Sequence, residues 1–250
     1  MVLVISCCIN VHKDVPFVAV RERETRERQY YDSVEWAIST AFDRIVVCEN
    51  SGYDFEHSVF ADLNEKAAAK NTLLEFLSFE GETEGVVKCG KGYGEGEILK
   101  YALRHSRLLE DADYFFKLTG RLRVLNIDEI VGACSCENDY FLHFFPWWRC
   151  LDTRFYGIRK CDFENLLVDE YRKVNDREGI SLENCYCEKL MACGVGVKAF
   201  GRYPRFAGVS GTTGEEHSKS LHQMLFDLLC RCHIFNNRRV FTVIRTLFGV

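Results

Sequence analysis

Glycines at alternate positions, Gly90-Lys-Gly92-Tyr-Gly94-Glu-Gly96, stand just ahead of a stretch with helical spacing. That stretch runs from Glu97 to about Leu109, with Ile98, Tyr101, Ala102 and His105 on one face. Backbone without side chains lets N–H groups approach a phosphate or carboxylate near a helix start, so the segment is a candidate anion site. A plain flexible turn would carry the same residues. Polar chemistry also follows apolar runs at Asn10-Val-His12, at Glu49-Asn50-Ser51 and at Thr119-Gly120-Arg121, the last preceded by Lys117 and followed by Arg123. Ligands of open α/β sheets collect beyond the carboxyl ends of the strands, and these segments together point to a binding rim there. The pairs Cys134-x-Cys136, Cys185-x-Cys187 and Cys230-x-Cys232 lack the two-residue spacing of zinc knuckles. They read as buried reduced thiols, and no metal site is expected.

Those rim segments need strands and helices to hold them. Val2–Ile9 is an apolar run long enough for a buried strand. A charged stretch, Arg21–Arg28, leads into Tyr30–Ile38 at helical spacing, and Arg44–Cys48 reads as a second strand closed by the turn cluster Glu49–Gly52. A strand–helix–strand unit of this kind pairs in parallel with a right-handed crossover. Glu84–Cys89 reads as a short third strand before the glycine segment, and Asp113–Leu118 as the next. Alternating strands and helices place the chain in the α/β class. The second half is less regular. Asp139–Trp148 is strongly aromatic, Thr153–Ile158 reads as a strand, Leu182–Ala192 as a helix capped by Ser181, Gly208–Gly214 as a flexible loop and His217–Cys232 as helical.

Composition narrows the function classes. The 250 residues are 47% hydrophobic and 13% aromatic, ample for one core. With 37 acidic and 32 basic residues the net charge is −5, so no global positive field draws in nucleic acid. The N-terminus lacks a basic leader and no run approaches the roughly 20 apolar residues of a membrane span, so a cytoplasmic protein is expected. The odd number of cysteines, 13, fits poorly with full pairing. Residues 236–250 combine Arg238, Arg239 and Arg245 with Val240, Phe241, Ile244, Leu247 and Phe248. This basic, amphipathic tail suits peripheral contact at the inner face of a membrane, and a core-packing final helix would carry the same residues.

The glycine segment resembles the G-x-G-x-G turn of S-adenosylmethionine-dependent methyltransferases. In that family the turn follows the first strand and an acidic residue ends the next one. Here two apparent strands precede the glycines and the following strand ends in Lys117–Arg121. The order of segments more closely resembles GT-A glycosyltransferases, in particular bacterial capsule and lipopolysaccharide types. Val4–Asn10 matches the opening strand, Ile45–Ser51 the second strand and its nucleoside-contacting turn, and Gly92–Ala102 the glycine–helix segment beside the donor. Asp113–Arg121 falls where that fold has the strand ending in a metal-binding Asp-x-Asp, and Arg154–Lys160 and Leu182-Glu183 suit the acceptor-side strand and the helix bearing a catalytic carboxylate. The resemblance spans roughly residues 1–200.

It implies a GT-A-like, mostly parallel central sheet flanked by helices in one domain over 1–235, with a nucleotide-sugar half (1–125), an irregular acceptor half (126–235) and the tail 236–250. The implied donor-binding set is Asn10, Arg26, Glu49, Asn50, Ser51, Gly92, Gly94, Glu97, Lys117, Thr119, Gly120 and Arg121. Thr119-Gly120-Arg121 stands in place of Asp-x-Asp, so the expected enzyme is metal-independent, with Arg121 and Lys117 on the diphosphate. Glu183 is the first candidate base and Asp152 the second; each also has a structural reading, Glu183 at a helix N-terminus and Asp152 paired with an arginine. Arg154, Arg205, Ser210, Thr212 and His217 are expected on the acceptor side or in a lid. The expected function is transfer of a sugar from a nucleotide-sugar to a glycan or lipid-linked glycan in surface polysaccharide synthesis. A methyltransferase and a non-catalytic GT-A-like scaffold are the alternatives.

Overall fold

The computed structural model describes residues 1–143, 151–210, 214 and 221–232. The elements in order are β1 (Val2–Cys7), α1 (Arg23–Ala37), β2 (Arg44–Glu49), α2 (Leu63–Ala69), β3 (Leu73–Ser78), α3 (Thr83–Cys89) and α4 (Lys91–His105). They continue with β4 (Tyr114–Thr119), β5 (Leu122–Val124), α5 (Ile127–Gly132), β6 (Tyr140–His143) and β7 (Leu151–Arg159). Last come α6 (Lys160–Asp162), which runs into a π-helical turn at Phe163–Leu167, then α7 (Leu182–Ala192), β8 (Phe206–Gly208) and α8 (Leu221–Arg231).

The chain is α/β, built on a six-stranded, mostly parallel sheet in the order β3-β2-β1-β4-β7-β6. β1 pairs in parallel with β2 and β4, while β7 runs antiparallel between β4 and β6. β1 is buried at every position, so it reads as a continuous apolar run rather than an alternation. Its two faces serve separate halves of the core. Leu3 and Ile5 pack with Val34, Phe42, Phe60 and Phe116 under α1, α2 and α5. Val2 and Val4 pack with Ile98, Leu99, Tyr186 and Leu190 under α4 and α7. β5 and β8 form a small antiparallel ribbon at the same end of the molecule as the carboxyl ends of β1 and β4.

Two expectations from the sequence are corrected. Residues 84–89 are not a strand: Thr83–Cys89 is the helix α3, and the third strand is β3, an edge strand only partly buried. Val86 and Val87 suit a strand locally, but the glycine at position 85 lets the helix sit against Tyr93 of α4, where a Cβ would overlap the ring. The glycine segment is not a turn either, since α4 begins at Lys91 and Gly92, Gly94 and Gly96 lie inside it. Gly90, at φ +104°, makes the joint between α3 and α4. The helical glycines serve close approach: Gly92 faces Val174 and Leu182, Gly94 faces Asn50 and Val86, and Gly96 backs onto Tyr171.

Elsewhere the elements fall near their expected places. α7 has the expected bounds, and Ser181 caps it reciprocally with Asn184. The charged stretch 21–28 enters α1 at Arg23. Every described cysteine is free; Cys185, Cys187 and Cys230 are buried as expected, whereas Cys134 is half-buried and Cys136 and Cys232 are exposed. Thr212, His217, the aromatic residues 144–148 and the tail 236–250 lie outside the described residues. No described helix is long and apolar enough to cross a membrane.

Candidate functional site

A cleft of about 800 Å³ opens beyond the carboxyl ends of β1 and β4. The connection after β1 turns toward β2 and the one after β4 turns the other way, toward β6 and β7, and open α/β sheets place their ligands at such a reversal. Its walls come from the end of β1 and the following loop (Cys8, Asn10, Val11), α1 (Arg26, Tyr30), the turn after β2 (Asn50, Ser51) and the segment after β3 (Glu80, Gly81). α4 adds Lys91, Gly94 and Glu95, β4 and its turn add Thr119 and Arg121, β7 adds Asp152, Thr153 and Arg154, α7 adds Glu183, and Ser210 closes the far side.

The wall after β1 and β2 is fixed by a carboxylate that does not itself face the cleft. Glu49 is fully buried and accepts from the Ile9 amide at 2.8 Å, the Ser51 amide at 2.8 Å and the Tyr53 amide at 3.1 Å. Ser51 Oγ donates to Glu49 and accepts from the Asn10 amide at 3.0 Å. Glu49 thus orients Asn10 and Ser51 rather than touching a ligand, which corrects its expected donor contact. Arg26 lines the cleft, but its guanidinium donates to the carbonyls of Cys8 (2.9 Å) and Val20 (2.8 Å) and to the Tyr30 hydroxyl (3.0 Å). It braces the loop after β1 against α1.

The start of α4 already has its anion. Asp176 Oδ2 accepts from the Gly92 amide at 3.3 Å, so this chain's own carboxylate takes the place expected for a phosphate. Burial pushes the Asp176 carboxyl up, and the Gly92 amide and Lys91 counter it. Gly92 is packed away from the cleft, and only Gly94 of the expected glycines is on its wall. Glu97 also lies off the cleft; it accepts from the Glu82 amide at 2.9 Å and fixes the turn after β3.

Beneath the floor lies Lys117, wholly buried and therefore unable to contact a diphosphate as expected. Its ammonium donates to the Thr153 carbonyl at 2.7 Å and to Thr119 Oγ1 at 2.9 Å, and forms an ion pair with Glu95. Burial pushes the ammonium down to about 7, with Glu183 and Asp152 pulling the other way. Gly120 is also behind the wall, its amide on the Ser6 carbonyl at 3.0 Å and no room for a Cβ between Ser6, Cys7 and Tyr30. Thr119 faces the cleft and donates to Glu95 Oε1 at 3.2 Å.

Arg121 reaches the cleft as expected, with Nη1 on Gln29 Oε1 at 3.1 Å. Its charge and that of Lys91 act on each other: burial pushes the Lys91 ammonium down, Asp176 and Glu183 pull it up, and Arg121 pushes it down further. Facing these cations is Glu183, held by the Thr153 hydroxyl, which donates to Oε1 at 2.7 Å. The capped first turn of α7 and the β7 strand therefore both fix this carboxylate. Asp152 is on the wall as well, but both its oxygens accept from Arg154 Nε, at 2.9 and 3.1 Å. That pair is the structural reading of Asp152, which holds Arg154, whose guanidinium lies 4.2 Å from the Phe206 ring centroid. Ser210 lines the cleft, whereas Arg205 is exposed on the approach to β8, away from it.

The sequence reading missed Lys91 and Glu95 as site residues, although both are charges set inside the glycine run. It also missed Thr153, which has no signal of its own in a strand. Among the described residues no group of three or more His, Cys, Asp or Glu side chains is placed to hold a metal ion. No protein-family model and no curated protein matches the chain.

Proposed function

We propose that this protein is a glycosyltransferase of the GT-A type that moves a sugar from a nucleotide-sugar to a glycan or lipid-linked glycan acceptor. The observation that carries this reading is the composition of the cleft. Two cations of the cleft wall, the exposed Lys91 and the buried Arg121, sit where a leaving diphosphate would gather charge, and a positioned carboxylate, Glu183, shares that wall. The sheet order supports it, with one antiparallel strand, β7, beside the strand that ends at the cations. The strand end that would carry Asp-x-Asp has Thr119-Gly120-Arg121, and fixed cations can supply the stabilisation otherwise given by a divalent ion.

In a transfer with inversion, Glu183 takes the proton from the acceptor hydroxyl as its oxygen bonds to the anomeric carbon. The bond from that carbon to the diphosphate oxygen breaks, and the nucleoside diphosphate departs with the electron pair against Lys91 and Arg121. Thr153 keeps Glu183 in place through the step. The loop after β1 and the Asn50–Ser51 turn, both locked by Glu49, form the wall for the nucleoside.

The test is thermal stability with UDP, GDP, CMP and S-adenosylmethionine, each with manganese and with EDTA. A ligand at about 100 times its dissociation constant should add about 2.7 kcal/mol. The expected result is a shift with a nucleoside diphosphate that survives EDTA. A shift with S-adenosylmethionine alone would overturn the reading in favour of a methyltransferase, and no shift with any of the four would leave a scaffold.

A further inference from the structure

The two edges of the main sheet end differently. Beyond β6 the chain closes its own edge: the Phe141 amide donates to the Lys198 carbonyl at 3.0 Å, and the Lys198 amide to the Asp139 carbonyl at 2.9 Å. The edge at β3 is open. The Leu73 and Phe79 amides turn toward β2, onto the carbonyls of Asp43 and Glu49. The odd-numbered residues of β3 therefore bond inward, and Leu74, Phe76 and Ser78 point their N–H and C=O groups outward. Those outward groups have no hydrogen-bond partner among the described residues.

Sheets blunt an open edge with lysine, proline, a bulge or a covering segment. β3, Leu-Leu-Glu-Phe-Leu-Ser, has neither lysine nor proline, and its register with β2 runs without a shift. Its one charge is engaged within its own chain, since Glu75 accepts from the Ser106 hydroxyl and from the Arg107 and Leu108 amides. Leu73 at the start of the strand is 58% exposed. The edge is a regular, nearly uncharged template for another strand.

Backbone geometry and charge say which strand. The outward groups of Leu74, Phe76 and Ser78 all find partners when a second β3 runs antiparallel, with Phe76 opposite Phe76 and Leu74 opposite Ser78 in both directions. The same register sets the exposed Leu73 across from Phe79 of the other copy, an aromatic already stacked on Tyr101 at 4.1 Å. Lys70, just before the strand, is exposed, and so are Glu80, Glu82 and Glu84 just after it. Antiparallel pairing brings each Lys70 toward the other copy's glutamates, whereas a parallel pair would set like charges together.

We infer that β3 pairs antiparallel with β3 of a second copy of this chain, about a two-fold axis at Phe76, joining two six-stranded sheets into one. The two clefts then open at opposite ends of the joined sheet, so neither copy covers the other's site. The pairing needs no nucleotide or acceptor, so it stands or fails apart from the proposed transfer.

The test is sedimentation velocity of the full chain from about 2 to 200 µM, with backbone hydrogen exchange at both ends of that range. The expected result is a monomer–dimer equilibrium in which the Leu74, Phe76 and Ser78 amides exchange at least about tenfold more slowly at the high concentration. Leu73→Lys sets a cation against Phe79 of the other copy, and Lys70→Glu sets like charges together. Each change enters the interface twice and should weaken the dimer about fivefold or more, with the melting temperature unchanged in dilute solution. A monomer across the whole range would overturn the inference. So would a dimer whose concentration-dependent protection falls outside residues 73–79, or one that either variant leaves as tight as before. Outward amides protected equally at both concentrations would overturn it too, assigning the edge to another segment of the same chain.

Discussion

The Lys117 ammonium donates to the Thr153 carbonyl at 2.7 Å, and the hydroxyl of the same Thr153 donates to Glu183 at 2.7 Å. A wholly buried cation and the carboxylate proposed as base thus share one residue of β7. Glu95 of α4 pairs with the same ammonium. The floor of the cleft is therefore a charged network tying β4, β7, α4 and α7 together, and it sets the distances between the groups above it.

That network gives stability a particular pH dependence. Burial takes Lys117 from an ordinary 10.5 down to about 7. Between those values the unfolded chain holds a proton that the folded chain has released, so stability rises with pH, by up to about 1.4 kcal/mol per unit. Below pH 7 both states are protonated and the contribution is flat. Urea unfolding at intervals from pH 6 to 8.5 should show a gap between wild type and Lys117→Met that changes above pH 7 in the wild type's favour. Parallel curves would show that Lys117 keeps its proton throughout.

Glu49 is the second buried organiser. Glu49→Gln keeps the shape but turns an amide NH2 toward backbone N–H donors of Ile9, Ser51 or Tyr53. The expected cost in urea unfolding is about 2–4 kcal/mol, the range for a lost bond to a charged group plus an unsatisfied buried donor. The same variant should weaken nucleotide binding, because Asn10 and Ser51 lose their anchor. A loss under about 0.5 kcal/mol would mean that the turn holds without the charge.

Strands buried on both faces announced themselves in the chain: β1 is almost wholly apolar, β2 is apolar between Arg44 and Glu49, β4 is apolar but for Lys117 and its last residue, and Ser181 marked the start of α7 to the residue. β3 did not, because an edge strand that is half-solvated alternates weakly, and α3 took its place in the reading because Val86 and Val87 suit either state. The glycine segment misled for a physical reason. Glycine is used at flexible turns and at close helix contacts alike, and only the partners across the contact, Tyr171, Val174 and Asn50, tell the two apart. Rim positions were legible from strand ends, so Asn10, Asn50, Ser51, Thr119 and Arg121 do meet at one cleft. Burial was not legible, which is why Lys117 and Glu49 looked like ligand contacts and are braces instead.

The close-packing role of the glycines predicts opposite signs for one substitution at two helices. A Cβ on Gly96 would overlap the Cβ and ring of Tyr171, so Gly96→Ala should cost about 1–3 kcal/mol despite the better helix propensity of alanine. Gly132, the last residue of α5, has nothing within 4 Å of that position, so Gly132→Ala should stabilise by about 0.4–1 kcal/mol. Thermal melts of the two variants decide it. A stabilised Gly96→Ala would return the segment to a loosely packed turn.

Division of labour across the cleft is separable in the same way. Arg121 borders the cleft beside Lys91, while Glu183 faces them from α7 and is held only by its own chain. Arg121→Ala should reduce affinity for the nucleoside diphosphate about tenfold or more, as expected for a charge-assisted contact worth roughly 1.5–3 kcal/mol. Glu183→Gln removes the base without removing a phosphate contact, so the thermal shift with nucleotide should persist while transfer falls about 10²–10⁴-fold. Glu183 also bears on Lys91, so its neutralisation should if anything strengthen phosphate binding slightly, since one competing carboxylate is gone. Binding lost in both variants would make Glu183 part of the wall rather than the base, and binding kept in both would place the diphosphate away from Arg121.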